Sequence, residues 1–221
     1  MTSLALLASS LETQPGSLYL AGGGDTPDAV VREFLDEVGR DKTILVFGQV
    51  KEEPANAESS REWLIEHGAR CVILLDFDQI TPLHRETTLK LLETAGGIWI
   101  PGGDQNLLLD RWGEDWAIRA IGSAVLKGAC YYGTSAGAML ASETMIAGNG
   151  PEKGTTLYRK GLGLTAFVVE SHMNERARLP RLEWTLSQTG RRRAIGLSEG
   201  EWVKITQGIP TPKNGSPLIR Q

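Results

Sequence analysis

The chain has 221 residues, of which 41% are hydrophobic and 23% charged, and its formal net charge is −4. This balance is typical of a soluble globular protein with a sizeable core, and no apolar run reaches the roughly 18 to 20 residues that cross a membrane. The one dense basic run, Arg191 to Arg193, is short, which argues against a nucleic-acid partner because such a partner requires a broad basic surface.

Residues 1–16 differ from the rest of the chain. They contain a short apolar patch at 4–8 without a basic region before it, which indicates a flexible N-terminal tail and not a secretory signal. Cys71 and Cys130 are too few for a disulfide framework and are predicted to be buried thiols, as in a reducing cytoplasm. We therefore expect a cytoplasmic protein with a single domain at residues 17–221.

From residue 17 to about residue 145, short apolar runs alternate with amphipathic segments. The apolar runs predict strands at 18–21, 44–47, 71–75, 98–100 and 129–132. Segments with helical spacing lie between them, at 30–38, 61–67, 87–92 and 116–126. Continuous apolar strands separated by helices indicate a parallel sheet that is covered on both faces.

The pattern changes after residue 145. Residues 155–169 and 194–205 predict strands that extend the same sheet at one edge, with a helix at 182–189 between them. Residues 207–221 have the composition of a loop, in which 217–219 predict a short edge strand.

The loops after Ile100, Tyr132 and Val169 are expected to meet at one site, because ligands of open α/β sheets bind beyond the carboxyl ends of the strands. The second loop reads Gly-Thr-Ser-Ala-Gly at 133–137. A G-x-S-x-G motif between a buried strand and a small-residue helix is the context of a nucleophile elbow, which presents the hydroxyl of Ser135 above the sheet. The alternative is a glycine-rich turn in which the serine only caps a helix.

A serine hydroxyl needs a general base to act as a nucleophile. Of the three histidines, only His172 follows a predicted strand at its carboxyl end, whereas His67 and His84 lie near the ends of predicted helices. A single histidine is more often structural than catalytic, but this position at the expected site favours His172 as the base.

An imidazole base also needs a carboxylate behind it. Glu199 follows the apolar residues 194–197 and is the first candidate, with Glu170 and Glu143 as rivals. The chain order would then be Ser–His–Glu. This differs from the Ser–acid–His order of α/β-hydrolases and argues against an esterase of that fold.

Residues 101–105 read Pro-Gly-Gly-Asp-Gln and follow the fourth predicted strand. A Gly-Gly turn can bring a backbone amide close to a reacting centre, because no Cβ blocks the approach. We therefore assign the oxyanion hole to the N–H groups of Gly103 and Ala136. An ordinary turn in which Asp104 caps the next helix is the alternative, and both can hold together.

Five segments together resemble cyanophycinase and its aspartyl dipeptidase (peptidase E) relatives. They are Gly-Gly-Gly at 22–24, Gly-Gly-Asp-Gln at 102–105, Gly-Thr-Ser-Ala-Gly-Ala at 133–138, Gly-Leu-Gly-Leu at 161–164 and His-Met-Asn-Glu-Arg-Ala-Arg-Leu-Pro-Arg-Leu at 172–182. The resemblance implies a three-layer α/β sandwich with a mostly parallel sheet, of the class I glutamine-amidotransferase-like (flavodoxin-like) kind. It also implies a serine where amidotransferases carry a cysteine.

The resemblance places the family's nucleophile on Ser135 and its histidine on His172. In the cyanophycinase branch the acid lies in a Gly-x-Asp-Glu segment, which reads Gly-Leu-Ser-Glu here and ends at Glu199. In the aspartyl dipeptidase branch the acid is an aspartate shortly after the nucleophile, and residues 147–151 contain none. The cyanophycinase-like triad is therefore favoured.

The same resemblance implies that Gln105 binds substrate and that Arg178 and Arg181 hold substrate carboxylates. A spacing of three residues puts both arginines on one helix face, although a solvated arginine face is the alternative. Glu170-Ser171 stands where the branch carries Asp-Gln, and Ser198 replaces an aspartate. These departures favour small peptides over cyanophycin itself.

The resulting expectation is a serine peptidase that hydrolyses small, acidic or aspartyl-containing peptides through an acyl-enzyme, without a metal or cofactor. No nucleic-acid or membrane partner is expected, and a homodimer is expected from family analogy alone. Two other functions stay open: a non-catalytic binding or regulatory protein on an amidotransferase-like scaffold, and a general esterase.

Overall fold

A computed structural model describes residues 14–221, so the predicted N-terminal tail lies, up to residue 13, outside the described residues. The described residues form twelve strands and seven α-helices. The strands are β1 (Leu18–Ala21), β2 (Thr43–Phe47), β3 (Cys71–Leu75), β4 (Gly97–Ile100), β5 (Cys130–Thr134), β6 (Thr144–Asn149), β7 (Thr156–Lys160), β8 (Val168–Ser171), β9 (Ala194–Leu197), β10 (Trp202–Thr206), β11 (Ile209–Asn214) and β12 (Leu218–Arg220). The helices are α1 (Asp28–Val38), α2 (Glu58–Glu66), α3 (Pro82–Leu92), α4 (Gln105–Trp112), α5 (Glu114–Leu126), α6 (Ala136–Leu140) and α7 (Leu179–Thr189).

The central sheet of the described residues has seven strands in the order β11-β10-β1-β5-β4-β2-β3. Strands β1, β5, β4, β2 and β3 run parallel; β10 pairs antiparallel with β1, and β11 pairs antiparallel with β10. The strands and helices predicted before residue 145 are all present, and α4 is an additional helix that begins at the cap of Asp104. The protein is therefore a mixed α/β protein with a mostly parallel sheet.

The side chains of each central strand alternate between the two faces of the sheet. In β1, Leu18 and Leu20 belong to the core cluster that α3, α4, α5 and α6 cover. Tyr19 and Ala21 belong to the cluster on the opposite face, which α1 and α2 cover. Since helices cover both faces, the central strands are apolar along their length and not at every second residue.

The prediction that residues 155–169 and 194–205 extend the central sheet is wrong in part. A turn at 161–164 divides the first segment, so that β7 pairs with β6 in a separate hairpin. Residues 198–201 divide the second, so that β10 joins the central sheet while β9 lies between β8 and β12 in a three-stranded sheet. An apolar run does not show where a strand changes sheets, because both sheets bury it.

Two smaller predictions also change. The predicted terminal loop contains β11 as well as the expected edge strand, β12. Cys130 is buried as predicted, but Cys71 is only half-buried, and both are free thiols. Cys71 is more exposed because β3 is the edge strand of the sheet and has a neighbour on one side only.

A charged cluster fastens the antiparallel edge of the sheet to α1. The Glu37 carboxylate accepts a hydrogen bond of 2.5 Å from the Tyr19 hydroxyl and pairs with Lys204 of β10 at 2.6 Å. Lys213 of β11 pairs with Glu33, one turn earlier on α1, at 2.9 Å. Burial by itself would raise the pKa of Glu37, but hydrogen bonds from Lys204, Ser17 and Tyr19 and the charge of Lys204 outweigh it and lower the pKa from 4.5 to about 2.

Glu37 should therefore make the fold sensitive to acid. Because its pKa is lowered in the folded protein, its stabilising contribution is fully present above about pH 4.5 and is lost as the pH falls towards 2. We expect Glu37→Gln to flatten the dependence of the free energy of unfolding on pH between 4.5 and 2, measured by urea titration at each pH. Glu66→Gln, on the exposed end of α2, serves as the control; equal flattening in both variants contradicts the assignment.

Candidate active site

Main-chain hydrogen bonds bring three loops to one edge of the molecule. The N–H of Ser135, after β5, donates to the carbonyl of Ala21 at the end of β1 over 2.9 Å. The N–H of His172, after β8, donates to the next carbonyl, that of Gly22, over 2.9 Å. The loop after β4 also reaches this edge, since a Cβ at Gly102 would lie 3.4 Å from the Cβ of Ser135.

Ser135 lies in a sharp turn between β5 and α6. Its backbone angles are φ 51° and ψ −110°, in the left-handed half of the map that non-glycine residues rarely adopt. The turn needs glycines on both sides: a Cβ at Gly133 would lie 2.3 Å from the Gly137 carbonyl oxygen, and one at Gly137 would lie 2.2 Å from that of Ile100. Such backbone strain is typical of functional residues that the surrounding structure holds in place.

His172 connects the serine with a carboxylate. Its Nε2 lies 2.9 Å from Oγ of Ser135, and its Nδ1 lies 2.7 Å from Oε1 of Glu199. An ionised carboxylate can only accept a hydrogen bond, so the Nδ1–H donates to Glu199 and the bare Nε2 accepts from the serine hydroxyl. His172 itself is 7% exposed and has a positive φ of 50°, so the ring is held in a buried and strained position.

The other candidate acids and bases lie elsewhere. Glu143 pairs with Arg191 on the surface, and Glu170 faces two arginines. His84 caps the first turn of α3 through Thr81. The Nδ1 of His67 lies 2.8 Å from the carbonyl of Trp63, within the turn that ends α2. The structure therefore brings together Ser135, His172 and Glu199 from the predicted set.

Of the two predicted oxyanion donors, Ala136 follows the serine directly in the chain, and Gly103 follows Gly102, which lies close to the serine. Ala136 is the first residue of α6, and first-turn N–H groups of a helix have no acceptor within the helix. Gly103 packs against the loop after β2, because a Cβ there would lie 2.1 Å from the carbonyl oxygen of Val50. Asp104 caps α4 by accepting from the N–H of Asn106 over 2.8 Å, so the helix-cap interpretation of this turn also applies.

Gln105 lies at the start of α4 and is nearly buried. Its Nε2 donates to the carbonyl of Ile146 in β6 over 2.7 Å, which ties α4 to the β6–β7 hairpin. The side chain therefore has a structural contact, and its predicted contact with substrate stays a prediction.

Arg178 and Arg181 converge on one buried carboxylate. Glu170 has no exposed surface; its Oε1 accepts from Arg178 and its Oε2 from Arg181, each over 3.0 Å. Arg178 also donates to the carbonyl of Ser171 over 3.0 Å, and Arg181 donates to Asn149. Arg178 is the N-cap of α7, so the two arginines share one face as predicted, but they are largely buried and not a solvated row.

Burial weakens the ionised forms of this cluster. It raises the pKa of Glu170, although the charges of Arg181 and Arg178 oppose the shift, and it lowers the pKa of Arg178. Desolvation is thus not fully offset by the charges of the two arginines. Two positive charges against one negative charge leave an excess of positive charge beside a groove of about 580 Å³, which Arg181 and Arg176 line.

The glycines at 22–24 also belong to the site, although no role was predicted for them from the sequence beyond their part in the family resemblance. Residues 22–24 follow β1, and Gly22 accepts from the N–H of His172 and donates to the carbonyl of Glu201 over 2.9 Å. The signal that identifies this run is its position directly after a strand whose parallel neighbour is the strand of the nucleophile.

Within residues 14–221, no helix is both long and apolar enough to cross a membrane. The same residues contain no group of three or more His, Cys, Asp or Glu side chains that could hold a metal ion.

Comparisons with known proteins identify the family of the chain. Residues 28–209 match the sequence model of peptidase family S51. The cyanophycinase of Trichormus variabilis is 29% identical over 210 residues, which cover 88% of this chain and 70% of that protein. The cyanophycinase of Synechococcus elongatus is 30% identical over 194 residues, which cover 82% of this chain and 60% of that protein.

The fold has a counterpart among solved structures. The crystal structure of a peptidase from an acI-B1 Actinobacterium superposes with a TM-score of 0.68 at 16% identity, covering 94% of this chain and 98% of the other. At that identity the likeness concerns the fold alone. The family match spans most of the chain, and the protein therefore belongs to peptidase family S51 and is a serine-type peptidase.

Proposed function

We propose that this peptidase hydrolyses small acidic peptides through an acyl-enzyme, with Ser135 as nucleophile, His172 as general base and Glu199 as orienting acid. The observation that carries the proposal is the unbroken chain of contacts from Oγ to Nε2, at 2.9 Å, and from Nδ1 to the Glu199 carboxylate, at 2.7 Å. A hydroxyl needs an adjacent base in the correct tautomer to become nucleophilic, and the carboxylate supplies that tautomer.

In this mechanism the Ser135 hydroxyl attacks the scissile carbonyl while its proton passes to Nε2 of His172. The tetrahedral oxyanion accepts hydrogen bonds from the N–H groups of Gly103 and Ala136. His172 then returns the proton to the departing amine. A water molecule, deprotonated by the same imidazole, hydrolyses the ester and restores Ser135.

The preference for an acidic substrate is proposed from two arginines, one of which, Arg178, donates to the carbonyl of Ser171, the neighbour of His172 in the chain. Arg178 and Arg181 share the single carboxylate of Glu170, so that donors of both guanidinium groups remain for a substrate carboxylate. Gln105 is proposed to contact the same substrate from the start of α4.

We also propose that the fold is of the class I glutamine-amidotransferase-like kind, as the family resemblance implies.

A panel of substrates tests the specificity. It contains α- and β-aspartyl dipeptides, neutral dipeptides of the same size, their forms with blocked amino or carboxyl termini, and a short-chain ester. We expect the highest kcat/KM for an aspartyl dipeptide with free termini. A neutral dipeptide with the same kcat/KM as the aspartyl dipeptide, or an ester with a higher kcat/KM than every peptide, would overturn the acidic specificity.

A fluorophosphonate probe tests the chemistry independently of the substrate, because it reacts with an activated serine. We expect labelling of one site, located by peptide mass mapping at residue 135, and its loss in His172→Ala. A non-catalytic protein on this scaffold needs no base, so absence of labelling together with inactivity on the whole panel contradicts the proposed triad.

A further inference from the structure

The glycine run after β1 lies directly against the side chains of His172 and Glu199. A Cβ at Gly23 would lie 2.3 Å from Cε1 and 2.5 Å from Nε2 of His172. A Cβ at Gly24 would lie 3.0 Å from the Cβ and 3.1 Å from Oε2 of Glu199. The Cβ at Gly23 would come about 1 Å closer to the imidazole than ordinary van der Waals contact allows, so a methyl group and the ring cannot both occupy this space.

Hydrogen bonds hold the backbone of residues 22–24, so it cannot easily move to make room for a side chain. Gly22 is tied at both its N–H and its carbonyl, and a Cβ on Gly22 would lie 2.0 Å from the carbonyl oxygen of Ser198. The carbonyl of Gly23 accepts from the N–H of Gly200 over 3.2 Å, next to Glu199 in the chain. The run is therefore bonded to the two segments that carry the imidazole and the carboxylate.

We propose that Gly23 and Gly24 are positioning residues of the active site: their bare backbone forms the wall against which His172 and Glu199 are held in line with Ser135. The inference rests on the proposed function in one respect, that the imidazole is the base. A side chain at 23 would rotate the ring away from this wall and break the contact with Ser135, with Glu199 or with both.

Gly23→Ala is the first test. Since the change moves the imidazole and leaves the arginines in place, we expect kcat to fall by about 100-fold, as for a misplacement of about 1 Å, with KM little changed. Gly128→Ala is the matched control: Gly128 has φ +106° against +104° for Gly23, and among residues 14–221 a Cβ there would meet only the carbonyl oxygen of Gln14, at 3.5 Å. Both variants thus place an alanine at nearly the same positive φ.

We expect both alanine variants to lose a similar amount of thermal stability but only Gly23→Ala to lose kcat. Full activity in folded Gly23→Ala, or an equal fall in both variants, overturns the proposal. If Gly23→Ala does not fold, Gly24→Ala decides, with a smaller expected loss of kcat because the Glu199 side chain can shift. Its control is Gly190→Ala, at φ +67° against +71°, where a Cβ would meet no atom of the described part of the chain within 4 Å.

A second readout does not depend on activity. The chain has three histidines, so the imidazole nitrogen signals of His172 can be assigned in NMR spectra by comparison with His172→Ala. We expect the Nδ1 proton that is bonded to Glu199 to shift or broaden in Gly23→Ala and to stay unchanged in Gly128→Ala. An unchanged signal in Gly23→Ala refutes the positioning role. If the signal does change in Gly23→Ala but the wild type is inactive on every peptide, the positioning role stands and only the proposed peptidase chemistry is refuted.

Discussion

Replacing Ser135 with alanine is expected to reduce kcat/KM for the best peptide of the panel by roughly 10⁴- to 10⁶-fold, the range in which serine hydrolases lose activity without their nucleophile. The loss should appear in kcat and not in KM, because the hydroxyl forms a bond with the substrate but contributes little to binding it. The measurement is steady-state hydrolysis, followed by liquid chromatography of the released amino acids, with thermal unfolding to show that the fold is intact.

Ser123→Ala is the matched control for this variant. Ser123 is an exposed serine of α5 on the opposite side of the sheet from α1 and takes no part in the contacts of the site. We expect its kinetic constants to equal those of the wild type. Activity of Ser135→Ala within tenfold of the wild type would show that the nucleophile is a different group or that water attacks directly.

Replacing Glu170 with alanine is expected to have the largest effect on stability. The change leaves Arg178 and Arg181 buried without their carboxylate, and breaking a buried ion pair in this way costs about 3 to 5 kcal/mol of the free energy of unfolding. This cost is the penalty of leaving buried arginines without a partner, and it does not measure how much the intact cluster stabilises the fold. Burial raises the pKa of Glu170, so desolvation already opposes the ionised form of the cluster. The measurement is urea unfolding followed by far-UV circular dichroism.

Glu143→Ala gives the control for Glu170→Ala, because it also removes a carboxylate from an arginine pair. The Glu143 side chain is 53% exposed, whereas that of Glu170 has no exposed surface. Exposed pairs contribute between about 0 and 1 kcal/mol, so the midpoint of unfolding should hardly change. An equal loss of unfolding free energy in the two variants would mean that burial of the pair does not decide the effect. If both losses are small, the two arginines find other partners when Glu170 is removed.

The sequence predicted the central part of the fold because that part follows short-range rules. Apolar runs such as 18–21 and 44–47 have the length of buried strands, and the helices between the strands favour parallel connections. The same rules failed after residue 145. The runs at 155–169 and 194–205 are interrupted by turns, and assigning each piece to a sheet requires partners that are distant in the chain.

The candidate site could be proposed from motifs, but its contacts could not be predicted. The G-x-S-x-G motif is local, so the turn that holds Ser135 could be recognised in the sequence. Placing His172 and Glu199 behind it used the order of the strands and a family resemblance, and the contact distances come from three loops that meet. Glu170 shows the limit: it was a rival acid in the sequence, and in the structure it binds two arginines.

The amino-acid sequence by itself determined which residues can carry the chemistry and which strands are buried, because motifs and hydrophobic runs are properties of neighbouring residues. Only the tertiary structure decided which carboxylate lies behind the imidazole and why residues 23 and 24 must lack side chains. Those follow from close contacts between segments as far apart in the chain as residues 23 and 172, and no local pattern encodes such contacts.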